Sequence, residues 1–286
     1  MQPDPGNECI GTSFVAEGET MPSERFDPEI LVSGVSVYEV IKVKERTPLF
    51  FDDHVERLLS SLIVAGATEM PAYKKVTGVT KKLISVNNLS EGNIRILVHF
   101  DEGINGSQKL FAWYTPHYYP TVEEYASGIR MVAVHTERHN LHSKIIDIKF
   151  RAFIAEQLKK ENAFEALLVD KDGFFTEGSK SNFFVIRDNK VSTAPEKHVL
   201  PGITRKYVME ICRRKGIETV ERLIHHTELE NFESCFISGT SPGVIAVNAI
   251  GPASFSPGHP VIKKLMDEYE SLTGGYIDAN RSRFNK

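Results

Sequence analysis

The chain has 286 residues, 41% of them hydrophobic and 25% charged, and a formal net charge of -4 at neutral pH. That length allows two domains with a core each, and so mild a charge excludes a nucleic-acid or anionic-membrane binder. Three scattered cysteines (Cys9, Cys212, Cys235) form neither a disulfide framework nor a zinc pattern. No apolar run approaches the roughly 20 residues of a membrane span, and the N-terminus lacks the basic and apolar segments of a secretory signal. The expectation is a soluble, reduced, cytoplasmic protein.

Residues 1–30, rich in Pro, Gly, Glu and Asp, predict an irregular start. From Ser36 to Val43 the residues Val37, Glu39 and Ile41 alternate with Tyr38, Val40 and Lys42, the period of a strand. A turn at Glu45–Pro48 and a short second strand at Leu49–Phe51 follow. Asp52 or Asp53 then caps a helix whose stripe is Val55, Leu58, Leu59, Leu62 and Ile63. Arg57 falls off that stripe. It reads either as a surface arginine paired with Asp53 or as a bidentate phosphate clamp. A second helix is expected over Ala72–Val86, then strands Asn93–Phe100 and Lys109–Tyr114 around the loop Asp101–Gly106. Arg95, inside the first of these strands, is either a solvated edge residue or an arginine aimed at a carboxylate. Two prolines, Pro116 and Pro120, close this half. The expected organisation is a domain over residues 1–120, a linker over 121–127 and a second domain over 128–286.

The second half opens on a strand at Ile129–Thr136 and a polar loop at Glu137–Ser143. Lys144 follows, just ahead of a helix over 148–160 that buries Phe150, Phe153, Ile154 and Leu158. The strand EALLVD (Glu165–Asp170) turns at Asp172-Gly173 into FFTEGS, then SNFFVI, then a turn at Arg187-Asp188-Asn189. LPGITR (Leu200–Arg205) starts a helix with Tyr207, Val208, Ile211 and Cys212 in helical spacing, which Gly216 ends. An apolar strand from Ser234 runs into the small-residue loop Gly239–Gly243. A last helix is expected over Val261–Leu272, with Ile262, Leu265, Met266 and Tyr269 on one face.

Several residues here have a plain reading beside a chemical one. Lys144 and Lys149 are each a solvated lysine or a reactive one, and five residues apart on any continued helix they point in different directions. Glu177 is a surface glutamate, or a carboxylate ending a buried strand and so in need of a cationic partner. Thr204 is an N-cap, or it marks a helix start whose backbone amides meet a phosphate. The Thr240-Ser241 loop is a turn, or a donor of amides and hydroxyls to an anion. An amine, a buried anion and a helix N-terminus in this order are what pyridoxal phosphate needs for its aldehyde, its pyridine nitrogen and its phosphate.

The segments GVSVYEVIKV with HVERLLSS, then TEGSKSNFFVI, LPGITR and FISGTS, in that order and spacing from Gly34 to Gly251, resemble the fold-type IV pyridoxal-phosphate enzymes, the class IV aminotransferase family. The resemblance implies an α/β (α+β) two-domain fold with the cofactor, pyridoxal 5′-phosphate, between the domains. It also implies a homodimer whose partner subunit helps close the pocket. Lys144 stands the family's usual distance ahead of EALLVD and is implied as the Schiff-base lysine and, once freed, the base for the substrate's Cα proton. Glu177 is implied on the pyridine nitrogen, Arg57 on the phosphate, Ile203 and Thr204 as helix-start amides, and Thr240 and Ser241 as a second phosphate and carboxylate loop. VYEVIKV is similar to the D-amino acid aminotransferase version of its strand, which puts Tyr38 in the substrate pocket. The loop Asp101–Gln108 lacks the Arg-x-His carboxylate trap of D-specific members, leaving Arg95 and Lys180 as cations to replace it. Lys149 stands where branched-chain enzymes often carry an aromatic residue. The expectation is therefore an aminotransferase acting on an amino acid and a 2-oxo acid, of the D-amino acid type ahead of the branched-chain type. An aminodeoxychorismate-lyase-like enzyme and a primary-amine transaminase remain alternatives. A non-catalytic metabolite-binding homologue also stands open, although it has no need of Lys144 and Glu177 together.

Overall fold

The structure is a computed structural model that describes residues 8–138 and 141–285; residues 1–7 of the expected irregular start, and His139 and Asn140 of the expected polar loop, lie outside the described residues. Two compact units divide the chain. Unit 1 is Met1–Tyr118, Ser143–Ile146 and Thr273–Lys286; unit 2 is Tyr119–His142 and Asp147–Leu272.

Unit 1 is an antiparallel sheet with two helices on one face. Its strands are β1 (Ile10–Ala16), β2 (Glu19–Pro22), β3 (Val35–Lys44), β4 (Thr47–Pro48), β5 (Gly92–Phe100) and β6 (Gln108–Thr115), in the order β2-β1-β6-β5-β3-β4. Helices α1 (Phe51–Val64) and α2 (Tyr73–Val86) bury Val55, Leu58, Leu62, Val76 and Leu83 against Val37, Ile41 and Ile96 of the sheet. Because side chains alternate along a strand, Tyr38, Leu97 and Trp113 fall on the other face, where they pack with Cys9 and Phe14.

Four expectations for this unit are corrected. The start of the chain is not irregular throughout, since β1 and β2 form a hairpin that joins the sheet beside β6. Leu49–Phe51 is not a strand: Phe50 takes a left-handed conformation (φ 51°) and α1 begins at Phe51, whose N–H donates to the Tyr276 hydroxyl at 2.9 Å. Asp52 and Asp53 therefore lie in the first turn, where acidic side chains favour the helix dipole, and neither is the cap. Ile63 is 61% exposed because one residue beyond buried Leu62 the helix has turned off its stripe.

The lysine segment also belongs here and not with the second half. Strand β4 pairs with β3 only at Val43 and Lys44, and Ser143–Ile146 runs beside the other end of β3. Ile145 bridges Val37, Tyr38 N–H donates to the Lys144 carbonyl at 2.9 Å, and Ile146 N–H donates to the Ser36 carbonyl at 3.0 Å.

Unit 2 holds α3 (Val122–Ser127), β7 (Ile129–His135), α4 (Ile148–Glu161), β8 (Glu165–Val169), β9 (Phe174–Gly178), β10 (Asn182–Arg187), β11 (Lys190–Thr193), α5 (Ile203–Lys215), β12 (Thr219–Glu221), β13 (Ile224–His225), β14 (Ser234–Gly239), β15 (Gly243–Ile250) and β16 (Ala253–Ser254). The sheet runs β12-β11-β10-β14-β15-β7-β8-β9-β13, with β16 on β15. It is mixed: β7 is parallel to both β15 and β8, and β11 to β12. Residues 121–127 are not a bare linker. Thr121 accepts the Glu124 N–H and the Glu124 carboxylate accepts the Thr121 N–H, a capping box that starts α3. Helix α4 buries Ile154 and Leu158 on β7 and β8, but Phe153 is 40% exposed, one position off that stripe.

The last helix, α6 (Pro260–Phe284), runs twelve residues beyond its expected end at Leu272. Gly274-Gly275 reads locally as a stop. The helix continues through it because Phe284 packs on Phe51 at 5.2 Å and Arg283 pairs with Asp52 at 2.7 Å within unit 1. No helix of the described residues is long and apolar enough to cross a membrane, and no cluster of metal-ligating residues occurs among them.

Candidate active site

In unit 1 the side chains singled out in the sequence gather on two faces of β3. On the face away from the helices, Tyr38 is the meeting point. The Lys144 Nζ lies 5.1 Å from its ring centroid and the Arg95 guanidinium carbon 5.6 Å, with Arg95 also 5.5 Å from the Trp113 ring. The backbone of Lys144 is tied at both ends: its carbonyl accepts from Tyr38 and its N–H donates to Ser61 Oγ at 3.3 Å. Ser143 Oγ donates to the Ser61 carbonyl at 2.9 Å, so α1 and β3 together fix where the lysine leaves the chain. Lys149, its competitor, is exposed on α4 in the other unit.

Arg95 is not a solvated edge residue. Strand β5 lies between β3 and β6, and Arg95 is 8% exposed with Nη1 donating to the Glu8 carboxylate at 3.2 Å. The carboxylate it meets thus belongs to the chain itself.

On the helix face, Arg57 is turned to the interior, with its side chain 10% exposed. Its Nε and Nη2 donate to the two oxygens of Glu39, each at 2.7 Å, and His54 Nδ1 lies 2.8 Å from Glu39 Oε2. Glu39 is fully buried. Burial opposes its ionisation, but the charge of Arg57 and hydrogen bonds from Arg57 and His54 outweigh that, holding the carboxyl well below the usual carboxylate range. Burial pushes His54 the other way, below its ordinary value and against the pull of Glu39. A neutral imidazole donating Nδ1–H to an anionic Glu39 satisfies both. Sequence reasoning missed Glu39 and His54, although both sit in the segments that carried the resemblance.

In unit 2, Glu177 ends β9 at 2% exposure. Its Oε1 accepts from Arg138 Nε at 2.9 Å, and its Oε2 accepts from Leu200 N–H at 3.0 Å and Asn182 Nδ2 at 3.4 Å. The cation that a buried carboxylate demands is therefore Arg138, which the sequence reading called for without naming. Asn182 also donates to the Leu200 carbonyl at 3.0 Å, which fastens the carboxylate to the segment leading into α5. A Cβ on Gly202 would meet Asn182 Oδ1 at 2.0 Å, so that approach needs glycine.

Helix α5 starts at Ile203 with Gly202 as N-cap and no side-chain hydrogen bond at the cap. Thr204 is therefore not the cap; its hydroxyl lies 3.5 Å from the Tyr269 hydroxyl. The backbone amides of this first turn have no intrahelical carbonyl to meet. Thr240 and Ser241 form, with Pro242, the turn between β14 and β15, closed where Gly239 pairs with Gly243 and anchored by the Tyr125 hydroxyl on the Pro242 carbonyl at 2.7 Å. Lys180 is exposed in the β9–β10 turn. Its backbone N–H donates to the buried Glu165 carboxyl at 2.6 Å.

The chain is similar to known proteins in sequence and in fold. The D-alanine aminotransferase of Bacillus licheniformis is 27% identical to this chain, covering 79% of it and 83% of that protein. The branched-chain-amino-acid aminotransferase of Pseudomonas aeruginosa is 24% identical, covering 86% and 87%. Among solved structures, the branched-chain amino acid aminotransferase of Escherichia coli has the same fold, with a TM-score of 0.83 at 21% identity, covering 93% of this chain and 96% of that one. Residues 36–250 match the family described as amino-transferase class IV. That span takes in residues of both units and every site residue that the sequence singled out, and the chain belongs to the class IV aminotransferase family.

Proposed function

We propose that this enzyme moves the amino group of an amino acid, of the D series ahead of branched-chain L-amino acids, to a 2-oxo acid, with Lys144 as its catalytic residue. The observation that carries the reading is the setting of Lys144: a lysine tied through its own backbone to Tyr38 and Ser61, with its amine at the face of the Tyr38 ring. The D-series preference is supported by the strand VYEVIKV that presents Tyr38, and by likeness to a D-alanine aminotransferase. We read the protein as a homodimer, as the resemblance implies, and as cytoplasmic, on its three scattered cysteines.

Members of the family are transaminases that use pyridoxal 5′-phosphate. The residues present fit that group. An uncapped helix start suits a phosphate, and a buried carboxylate held by Arg138, Asn182 and Leu200 N–H suits a ring nitrogen that carries a proton. When bound, the cofactor supplies an aldehyde for amines and a ring that accepts the electrons of a broken Cα bond. In this reading Ile203 and Thr204 amides, Thr240, Ser241 and Arg57 hold phosphate, and Glu177 holds the ring proton in place. Tyr38 bounds the substrate. The Lys144 amine takes the Cα proton of the substrate and returns one in the reverse half-reaction. Arg95 and Lys180, the cations expected to bind substrate carboxylate, are engaged by Glu8 and exposed in a turn, respectively. Neither is assigned that role here.

The test is the visible absorption of the purified, cofactor-loaded protein on adding single amino acids. D-alanine is expected to bleach the band, with L-leucine at least about tenfold slower. Lys144→Ala should lower turnover by several orders of magnitude. Faster bleaching by L-leucine would overturn the D-series reading. Pyruvate released without an amino acceptor beyond the one equivalent per site that a half-reaction with D-alanine leaves would turn the reaction into the lyase type, and full turnover by Lys144→Ala would remove the catalytic assignment.

A further inference from the structure

A buried guanidinium needs an anion, supplied either by the protein or by a ligand. Arg95 receives one from the segment that precedes β1. Glu8 is held at three points of β5 and β6: Arg95 Nη1 donates to its Oε2 at 3.2 Å, Thr115 Oγ1 reaches the same oxygen at 3.5 Å, and Trp113 Nε1–H donates to its carbonyl at 2.9 Å. The pair is well shielded, with the Arg95 side chain 10% and the Glu8 side chain 27% exposed. Arg95 and the Lys144 amine both lie against the ring of Tyr38. A carboxylate of the chain therefore sits on the arginine that shares an aromatic ring with the proposed catalytic amine.

We propose that Glu8 is a specificity-determining residue: an internal carboxylate that occupies Arg95 and so disfavours substrates carrying a second carboxylate. The physical argument is competition for one desolvated cation. With Glu8 in place, an acidic amino acid or a dicarboxylic oxo acid brings its side-chain anion to a guanidinium already neutralised, and next to a second negative charge. Substrates with neutral side chains need no displacement and are favoured. A bidentate-capable guanidinium released from Glu8 reverses that order, because it is itself a carboxylate site. This deepens the transaminase reading by naming the substrate class, and for turnover it rests on that reading; the competition for Arg95 does not.

The chain has one tryptophan, Trp113, and its ring lies against Arg95, so its fluorescence reports the site whether or not the enzyme turns over. Full-length protein is titrated with glutarate and with butyrate. Glu8→Gln is expected to tighten glutarate about tenfold relative to the native chain, and butyrate, with a single carboxylate, by much less. Glu8→Asp, which keeps a carboxylate, stays near the native ratio, and Glu8→Gln with Arg95→Gln loses the gain. The kcat/KM ratio of acidic to neutral amino donors rises with Glu8→Gln by a similar factor. Glu8→Ala repeats the measurement in a second variant. Glutarate binding that does not tighten in either variant, or that tightens equally with butyrate, overturns the proposal. A native chain that turns over no amino acid counts against the transaminase reading alone, because the titration still reads Arg95.

Discussion

Arg57 shows what a residue's neighbours add to its sequence position. From spacing it was either a surface arginine or a phosphate clamp; what spacing could not reveal was Glu39, eighteen residues earlier on β3 and fully buried beneath it. The pair is bidentate and has little water to screen it, so removing one partner strands the other charge in the interior. Glu39→Gln is expected to destabilise the protein by about 3 kcal/mol, read from its denaturant midpoint, with Arg57→Leu/Glu39→Leu recovering much of the loss. A loss below about 0.5 kcal/mol in the single variant would make the pair a solvated one. Lys144 could be singled out because its distance from the EALLVD strand is a property of the sequence. Arg138 was not, because its partner Glu177 lies thirty-nine residues on, and the cation was demanded by burial that only the folded chain displays.

At the scale of elements, strands and helices with a strong period were readable and those held by distant groups were not. Strands β3, β5 and β6 fall within two residues of their expected bounds, because alternation is written into each, and helix α2 does so on a weaker pattern. Strand β1 has only Phe14 and Val15 buried, too little for a local pattern. Its place is set by Asn87 at the end of α2. The Asn87 Oδ1 accepts the N–H of Thr12 at 2.9 Å and of Ser13 at 3.2 Å, and its Nδ2 donates to the carbonyls of Ser13 and Leu83, both at 3.0 Å. The side chain is 1% exposed, so no water stands ready to replace it. Asn87→Ala should therefore cost about 2–3 kcal/mol, the desolvation of backbone groups left without a partner. The midpoint of denaturation is expected to fall with an unchanged slope. Hydrogen exchange at Thr12 and Ser13 should accelerate first, and unchanged exchange there would mean β1 is held by its pairing with β6 alone. Helix α6 was underread for the same reason: its last turns are fixed by Phe51 and Asp52, more than two hundred residues earlier.

For the molecule as a whole, no local pattern of residues announces that three histidines of unit 1 and one buried carboxyl of unit 2 respond to acid with opposite sign. In unit 1, burial lowers His54, His99 and His117 below the ordinary histidine value. The pull of Glu39 on His54, of Asp101 on His99 and of the Thr115 carbonyl on His117 opposes this without prevailing. Each folded imidazole binds its proton less tightly than the unfolded chain does. As pH falls through about 6.5, the unfolded state takes up protons that the folded state refuses, and stability is lost. Glu165 in unit 2 runs the other way. Burial pushes its carboxyl up, against the hydrogen bonds from Lys180 N–H and Ser181 and the charges of Lys180 and Arg138. There the folded state holds its proton more tightly, so that contribution grows as pH falls through its raised value towards the unfolded one. Between pH 7.5 and 5.5, hydrogen-exchange mass spectrometry is expected to show the amides of β5 and α1 losing protection while those of β8 and β10 hold theirs. His54→Gln should flatten the slope of stability against pH in that window, whatever its effect on stability at pH 8. Equal loss of protection in both units would place the acid response outside these histidines, and an unchanged slope in His54→Gln would mean that its imidazole titrates alike in the folded and unfolded chain.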